Sequence, residues 1–177
     1  MSSDEAIDRL NAAVRDVADF PSPGITFKDI TPLLADAELF AAAVEALARP
    51  YATAEIDAVV GIEARGFIFA APIARVLGAG FVPLRKAGKL PSDTVEETYD
   101  LEYGTATIAV HVDAFDDGDR VLVVDDVLAT GGTARAAANL VRRAGGHVVG
   151  LAVLIELGFL GGREVLDGVP LTTVLRY

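Results

Sequence analysis

Apolar and polar positions along this chain follow two rhythms. Over residues 4–18 (DEAIDRLNAAVRDVA) the apolar side chains fall at Ile7, Leu10, Val14 and Val17, a spacing that lays them along one face of a helix. Residues 20–32 (FPSPGITFKDITP) break that rhythm with three prolines and a glycine, which predicts an ordered loop or a short strand. Residues 36–48 then predict an alanine-rich helix, with Asp36 placed to cap it and Pro50 just past its end. From there the pattern alternates. Ala58–Ile62 is a short apolar strand, Gly66–Leu77 a helix stopped by Gly78, and residues 81–84 a second strand. Residues 90–99 (LPSDTVEETY) are polar and weakly patterned, which predicts a mobile loop. Residues 105–112 (TATIAVHV) alternate as a strand does, and would pair antiparallel with residues 99–103. After Gly118, residues 120–124 (RVLVV) read as a strand buried on both faces. A helix over 133–144 ends at Gly145-Gly146, a buried strand covers 147–157, and a last short strand covers 170–175.

Strand and helix in alternation imply a mostly parallel central sheet with helices on both faces, an α/β fold. The 177 residues fit one domain, 1–177, and 52% hydrophobic content supplies a sizeable core. Ligands in such sheets sit outside the carboxyl ends of the strands, which directs attention to the loops after Ile62, Leu84 and Val124.

Composition narrows the chemistry. With no cysteine, disulfides and thiolate metal sites are excluded. A net charge of −11 argues against nucleic-acid binding. No apolar run reaches the ~18–20 residues of a membrane helix; the run over 148–157 is already broken by Glu156. The acidic, polar start of the chain lacks the pattern of a signal peptide, so a soluble cytoplasmic protein is expected. The only lysines, Lys28, Lys86 and Lys89, lie in two loop-like segments, where they would draw a small polyanion.

The segment over 121–133 (VLVVDDVLATGGT) is the most informative. A buried strand delivers Asp125 and Asp126 to its carboxyl end. Glycines let the backbone pass close to a ligand, and Thr130 and Thr133 add hydroxyls. The amides of Ala129, Thr130, Gly131, Gly132 and Thr133 fall at a helix N-terminus, where a phosphate is favoured. Turn and cap chemistry alone explains the Asp and Thr residues about as well. Two adjacent acids repel each other without a ligand, however, and suit sugar hydroxyls or a metal-bound sugar. Neither G-x(4)-G-K-[ST] nor a G-x-G-x-x-G after a strand is present, which removes the P-loop and Rossmann alternatives.

This segment resembles the phosphoribosyl pyrophosphate (PRPP) motif of the type I phosphoribosyltransferases. Residues 19–33 (DFPSPGITFKDITPL), 61–69 (GIEARGFIF), 81–91 (FVPLRKAGKLP) and 99–104 (YDLEYG) resemble the branch of that family that uses adenine. The resemblance covers nearly the whole chain. It implies the type I phosphoribosyltransferase fold, with a small N-terminal base-binding hood over about 1–35 and a flexible loop over about 90–103. It implies a glycosyltransferase (pentosyltransferase) of purine salvage that converts adenine and PRPP to AMP and pyrophosphate, with Mg2+ accompanying PRPP rather than held directly by the protein. A cytoplasmic homodimer is implied as well.

The same resemblance assigns roles. Asp125 and Asp126 would hold the ribose hydroxyls, and Ala129, Thr130, Gly131, Gly132 and Thr133 the 5′-phosphate. Arg65, Arg85, Lys86 and Lys89 would contact pyrophosphate, with Arg85 able to come from a second subunit. Phe27 would stack on adenine while backbone groups of Thr26 and Lys28 read its edge. Glu102 and Arg65 would be catalytic, Glu102 managing a proton on the purine, and Tyr103 would pack near the sugar. Alanine in EARG, where relatives often carry serine, is a small departure. His111, His147 and Glu156 match nothing catalytic and read as structural or solvent-facing. Competing readings are an enzyme for another purine base or orotate, a non-catalytic PRPP-binding regulator, and a PRPP synthase-like subunit. Residues 20–29 favour adenine, and the single short acidic domain disfavours the last two.

Overall fold

The computed structural model describes residues 3–101 and 104–177. The chain divides into two compact units, Met1–Ala46 and Leu47–Tyr177.

In the first unit, helix α1 (Ser3–Ala13) is shorter than the helical spacing predicts. Residues Arg15–Val17 instead form strand β1, antiparallel to β2 (Phe27–Asp29). Cross-strand charge explains the change. Arg15 faces Asp29 with a nitrogen–oxygen distance of 2.5 Å, and Lys28 faces Asp16 at 2.6 Å. Val14 and Val17 thus keep helical spacing without helical structure. The hydroxyl and amide of Thr31, joined by Arg15, hold the Asp29 carboxyl down to about 2. A short helix α2 (Thr31–Ala35) follows, with proline in its first turn. Helix α3 (Ala37–Ala48) is capped as expected: Asp36 Oδ1 accepts the amide N–H groups of Glu38 and Leu39 at 2.9 and 3.1 Å.

The second unit is the sheet. Its strands in chain order are β3 (Ala58–Ile62), β4 (Gly80–Lys86), β5 (Thr94–Asp100), β6 (Thr105–His111), β7 (Arg120–Leu128), β8 (His147–Glu156) and β9 (Leu171–Arg176). They lie side by side in the order β5-β6-β4-β3-β7-β8-β9. Strands β4, β3, β7, β8 and β9 run parallel, and β6 and β5 are added antiparallel at one edge. Helix α4 (Gly66–Leu77) ends at Gly78, whose φ of 69° suits glycine. Helix α5 (Gly132–Arg143) packs Ala136, Ala137, Leu140 and Val141 into a core shared with Val60, Val121 and Val123. No helix among the described residues is long and apolar enough to cross a membrane.

Two expectations change here. Strand β7 does not stop at Val124 but continues through Asp125 and Asp126 to Leu128, paired with β8 as far as Glu156. The acids are therefore held by strand backbone rather than by a loop. Residues 90–99, expected from their weak pattern as a mobile loop, contain most of β5, paired in register with β6 from Thr94–His111 to Asp100–Thr105. Its inward side chains Val95 and Tyr99 pack against the core. Glu97, which makes the segment look polar, is matched by the Arg143 guanidinium on α5, and Arg143 also donates to the carbonyl of Glu96 at 2.9 Å.

Candidate active site

A cavity of about 420 Å³ opens where strands β3 and β7 end. That is the position expected for a ligand in a parallel sheet. Its wall includes Glu63, Ala64 and Arg65 after β3, the Asp125-Asp126 pair on β7, and residues 129–133 leading into α5.

The loop 129–133 is built for an anion. Gly131 is the N-cap residue of α5 with φ 83°, a conformation that favours glycine, and the helix starts at Gly132. No side-chain hydrogen bond caps this N-terminus, and backbone amides at a helix start suit an anion. Thr133 Oγ1 donates to the Tyr99 hydroxyl at 3.1 Å, which brings β5 to the cavity.

The acids differ in environment. Asp126 is buried and its carboxylate meets Arg65 Nε at 2.5 Å. Asp125 Oδ1 accepts the amide N–H of Asp126 at 2.8 Å. Burial, then the neighbouring Asp126 charge, push the Asp125 carboxyl well above the usual range. A raised acid at the carboxyl end of a buried strand, on the wall of a cavity, makes Asp125 a candidate site residue. Arg65 immediately precedes α4 and is half-exposed beside the cavity.

Other expected residues are placed differently. Arg85 and Lys86 end β4, and Lys89 follows in a turn. Among the described residues lining the cavity, none of these three appears. The Arg85 side chain donates to Glu63 Oε1 at 3.1 Å and to the Lys89 carbonyl at 3.0 Å, and the Lys86 backbone amide donates to Glu63 Oε2 at 2.9 Å. The Arg85 guanidinium, then the Lys86 amide, hold the Glu63 carboxyl below its ordinary range. Thr26, Phe27 and Lys28 belong to the first unit. Phe27 is half-buried, edge-to-face with Phe20 at 5.3 Å between ring centres. Glu102 and Tyr103 lie outside the described residues. His147 is exposed, His111 Nε2 accepts from the Ser92 amide at 3.4 Å, and Glu156 is buried rather than solvent-facing.

Tyr99 and Glu63 are the site residues that the sequence reading passed over. Tyr99 carries a signal in hindsight, since it shares an alternating face with Val95. Glu63 carries none, because its role depends on Arg85 arriving from the neighbouring strand.

A mostly parallel sheet with a paired-acid strand end and an uncapped, glycine-bearing anion loop defines the phosphoribosyltransferase class, and residues 32–164 match the phosphoribosyl transferase domain family. Within that class the likeness is narrower. An adenine phosphoribosyltransferase of Thermobifida fusca is 64% identical over 173 residues, covering 97% of each chain. The crystal structure of adenine phosphoribosyltransferase from Rhodothermus marinus superimposes with a TM-score of 0.94 at 57% identity, covering 98% of this chain and 99% of that one. The Saccharomyces cerevisiae enzyme, solved with an imino-altritol bisphosphate and adenine, gives a TM-score of 0.92 at 38% identity, covering 97% and 99%. The chain belongs to the adenine phosphoribosyltransferase family.

Proposed function

We propose that this protein transfers the phosphoribosyl group of PRPP to adenine, giving AMP and pyrophosphate. The observation that carries the reading is the convergence of Asp125, Asp126, Arg65 and residues 129–133 on one strand-end cavity. The family's names and the near-complete coverage of its members support adenine as the base.

In this reading the amides and hydroxyls of residues 129–133 hold the 5′-phosphate, and Asp125 and Asp126 hold the ribose 2′- and 3′-hydroxyls. Fixing both ends of the sugar presents its anomeric carbon to the base, which is catalysis by positioning. The bond from that carbon to pyrophosphate breaks as the bond to an adenine ring nitrogen forms, and that nitrogen gives up its proton. Positive charge grows on the sugar and negative charge on the leaving group. Arg65 leaves Asp126 to meet the pyrophosphate, and Arg85, Lys86 and Lys89 add positive charge on the β4 side. Mg2+ enters as part of the PRPP substrate, and oxygen donors such as the two carboxylates are compatible with a hard cation nearby.

Phe27 stacks on adenine, backbone groups of Thr26 and Lys28 read its edge, Glu102 takes up the purine proton, and Tyr103 packs near the sugar. An N-terminal base-binding hood belongs to the same proposal, as do a cytoplasmic setting and a homodimer. Initial rates with adenine, hypoxanthine and guanine at fixed Mg-PRPP test the base assignment. Adenine should be fastest; faster turnover of hypoxanthine would remove adenine as the substrate.

A further inference from the structure

Glu156 is the last residue of β8, directly after Val153, Leu154 and Ile155, each fully buried. Its own exposure is only 2%. A buried carboxylate is costly unless paired and hydrogen-bonded. Here it is doubly bonded by Arg163, whose Nε donates to Oε1 at 3.0 Å and whose second nitrogen donates to Oε2 at 2.6 Å. Arg176 Nε stands behind at 3.9 Å. The Arg163 guanidinium holds the Glu156 carboxyl below its ordinary range, against the opposing effect of burial.

Arg163 lies in a single 3-10 turn, Gly162–Val165, and that turn is interlocked with the phosphate loop. A Cβ on Gly162 would collide with the Ala129 carbonyl oxygen and come within 3.0 Å of the Gly131 amide nitrogen. A Cβ on Gly131 would collide with the Gly162 carbonyl oxygen and reach Val165 Cγ2 at 2.5 Å. The two backbones therefore touch with no side chain between them. On the strand side, Leu128, the residue before the loop, is in register with Glu156, and the Leu157 amide donates to the Leu128 carbonyl at 2.9 Å.

We propose that Glu156 and Arg163 are positioning residues for the phosphate loop. By anchoring the turn Gly162–Val165 to the end of β8, the ion pair sets where Gly131 and the amides beside it stand. Neither residue touches the substrate. The proposal rests on residues 129–133 holding the 5′-phosphate of PRPP.

The test compares Arg163→Ala, Arg163→Lys and Gly162→Ala with the wild type, using calorimetric binding of PRPP, steady-state kinetics and thermal melts at a temperature where all are folded. Replacing Arg163 leaves the buried Glu156 carboxylate with Arg176 at 3.9 Å, so a Glu156→Gln, Arg163→Ala double variant, which strands no charge, is measured beside it and should show the same PRPP defect. Arg163→Ala is expected to raise both the Kd and the KM for PRPP by ~10-fold or more, since sub-ångström displacement of binding groups is costly. The KM for adenine should stay unchanged and kcat within about threefold, the signature of lost ground-state binding. Arg163→Lys should recover part of the PRPP affinity through one remaining hydrogen bond. Gly162→Ala, whose Cβ would push on the Ala129 carbonyl, should repeat the PRPP defect with both charged residues still present. If Arg163→Ala lowers the melting temperature and leaves PRPP binding and KM untouched, the pair serves stability alone and the proposal fails. If the wild type binds no PRPP, the reading of the loop itself fails, and the positioning role with it.

Discussion

Arg65 Nε lies 2.5 Å from Asp126 Oδ2, so the residue that precedes α4 pairs with an acid near the carboxyl end of β7 at the wall of the cavity. Asp126 is buried while Arg65 is half-exposed, so the pair compensates a carboxylate that would be costly to leave alone. Arg65→Ala removes the group proposed to meet the leaving pyrophosphate. It should lower kcat by roughly 10²–10³-fold with a smaller change in the KM for adenine. Steady-state kinetics check this; wild-type turnover would remove Arg65 from the reaction.

Asp125 should trade stability for function. Its folded-state carboxyl is raised by burial and by Asp126, so the folded protein binds its proton more readily than the unfolded chain does. The sign follows: stability falls as pH rises from the ordinary carboxylate range through the raised folded value, and the cost remains above it. Asp125→Asn cannot ionise. At neutral pH it should melt higher than the wild type, by ~2–4 °C for each ~1 kcal/mol relieved. That difference should shrink on acidification, when the wild-type carboxyl is protonated as well. Activity should drop despite the added stability. Melting curves from pH 4 to 8 provide the check, and a difference that grows toward acid would contradict the assignment.

Gly131 and Gly132 are adjacent yet should respond differently to alanine. At Gly131 a Cβ meets the Gly162 carbonyl and Val165, and φ is 83°. At Gly132 the nearest atoms would be the Asp100 carbonyl oxygen at 3.5 Å and Tyr99 Cδ2 at 3.8 Å, ordinary contacts. Gly131→Ala should cost about 1–3 kcal/mol in stability and weaken PRPP binding. Gly132→Ala should be nearly neutral, whereas Gly132→Val, with two further methyl groups beside β5, should weaken PRPP binding. Denaturant melts and PRPP titrations distinguish the three.

Phe27 carries the proposed base contact. Phe27→Ala should raise the KM for adenine by ~10-fold or more, the loss expected for a base-stacking aromatic of about 1–3 kcal/mol, and leave the KM for PRPP unchanged. Equal changes in both constants would point to a structural role beside Phe20 instead.

The sequence pattern was most readable where each segment decides its own state. Ala58–Ile62 and Gly66–Leu77 form with the bounds that their apolar runs and Gly78 predict. Residues 129–133 and the two acids reveal their cavity because one continuous segment builds most of it. Cross-strand partners were harder to read. Residues Arg15–Val17 leave their helical spacing because Asp29 and Lys28 compensate their charges. Residues Thr94–Asp100 become a strand because Arg143 neutralises Glu97 and β6 supplies the ladder. Likewise the pattern points Lys86 and Lys89 at the cavity, yet neither is among its described lining residues, and Arg85 with the Lys86 backbone amide bonds Glu63, a contact between strand ends that no local pattern encodes.

The most direct test of the central claim is product formation. Purified protein incubated with adenine, PRPP and Mg2+ should yield AMP and pyrophosphate in equal amounts, with none from an Asp125→Asn, Asp126→Asn double variant above background. Tight binding of PRPP without AMP formation would contradict the account, leaving a phosphoribosyl-binding protein rather than a transferase.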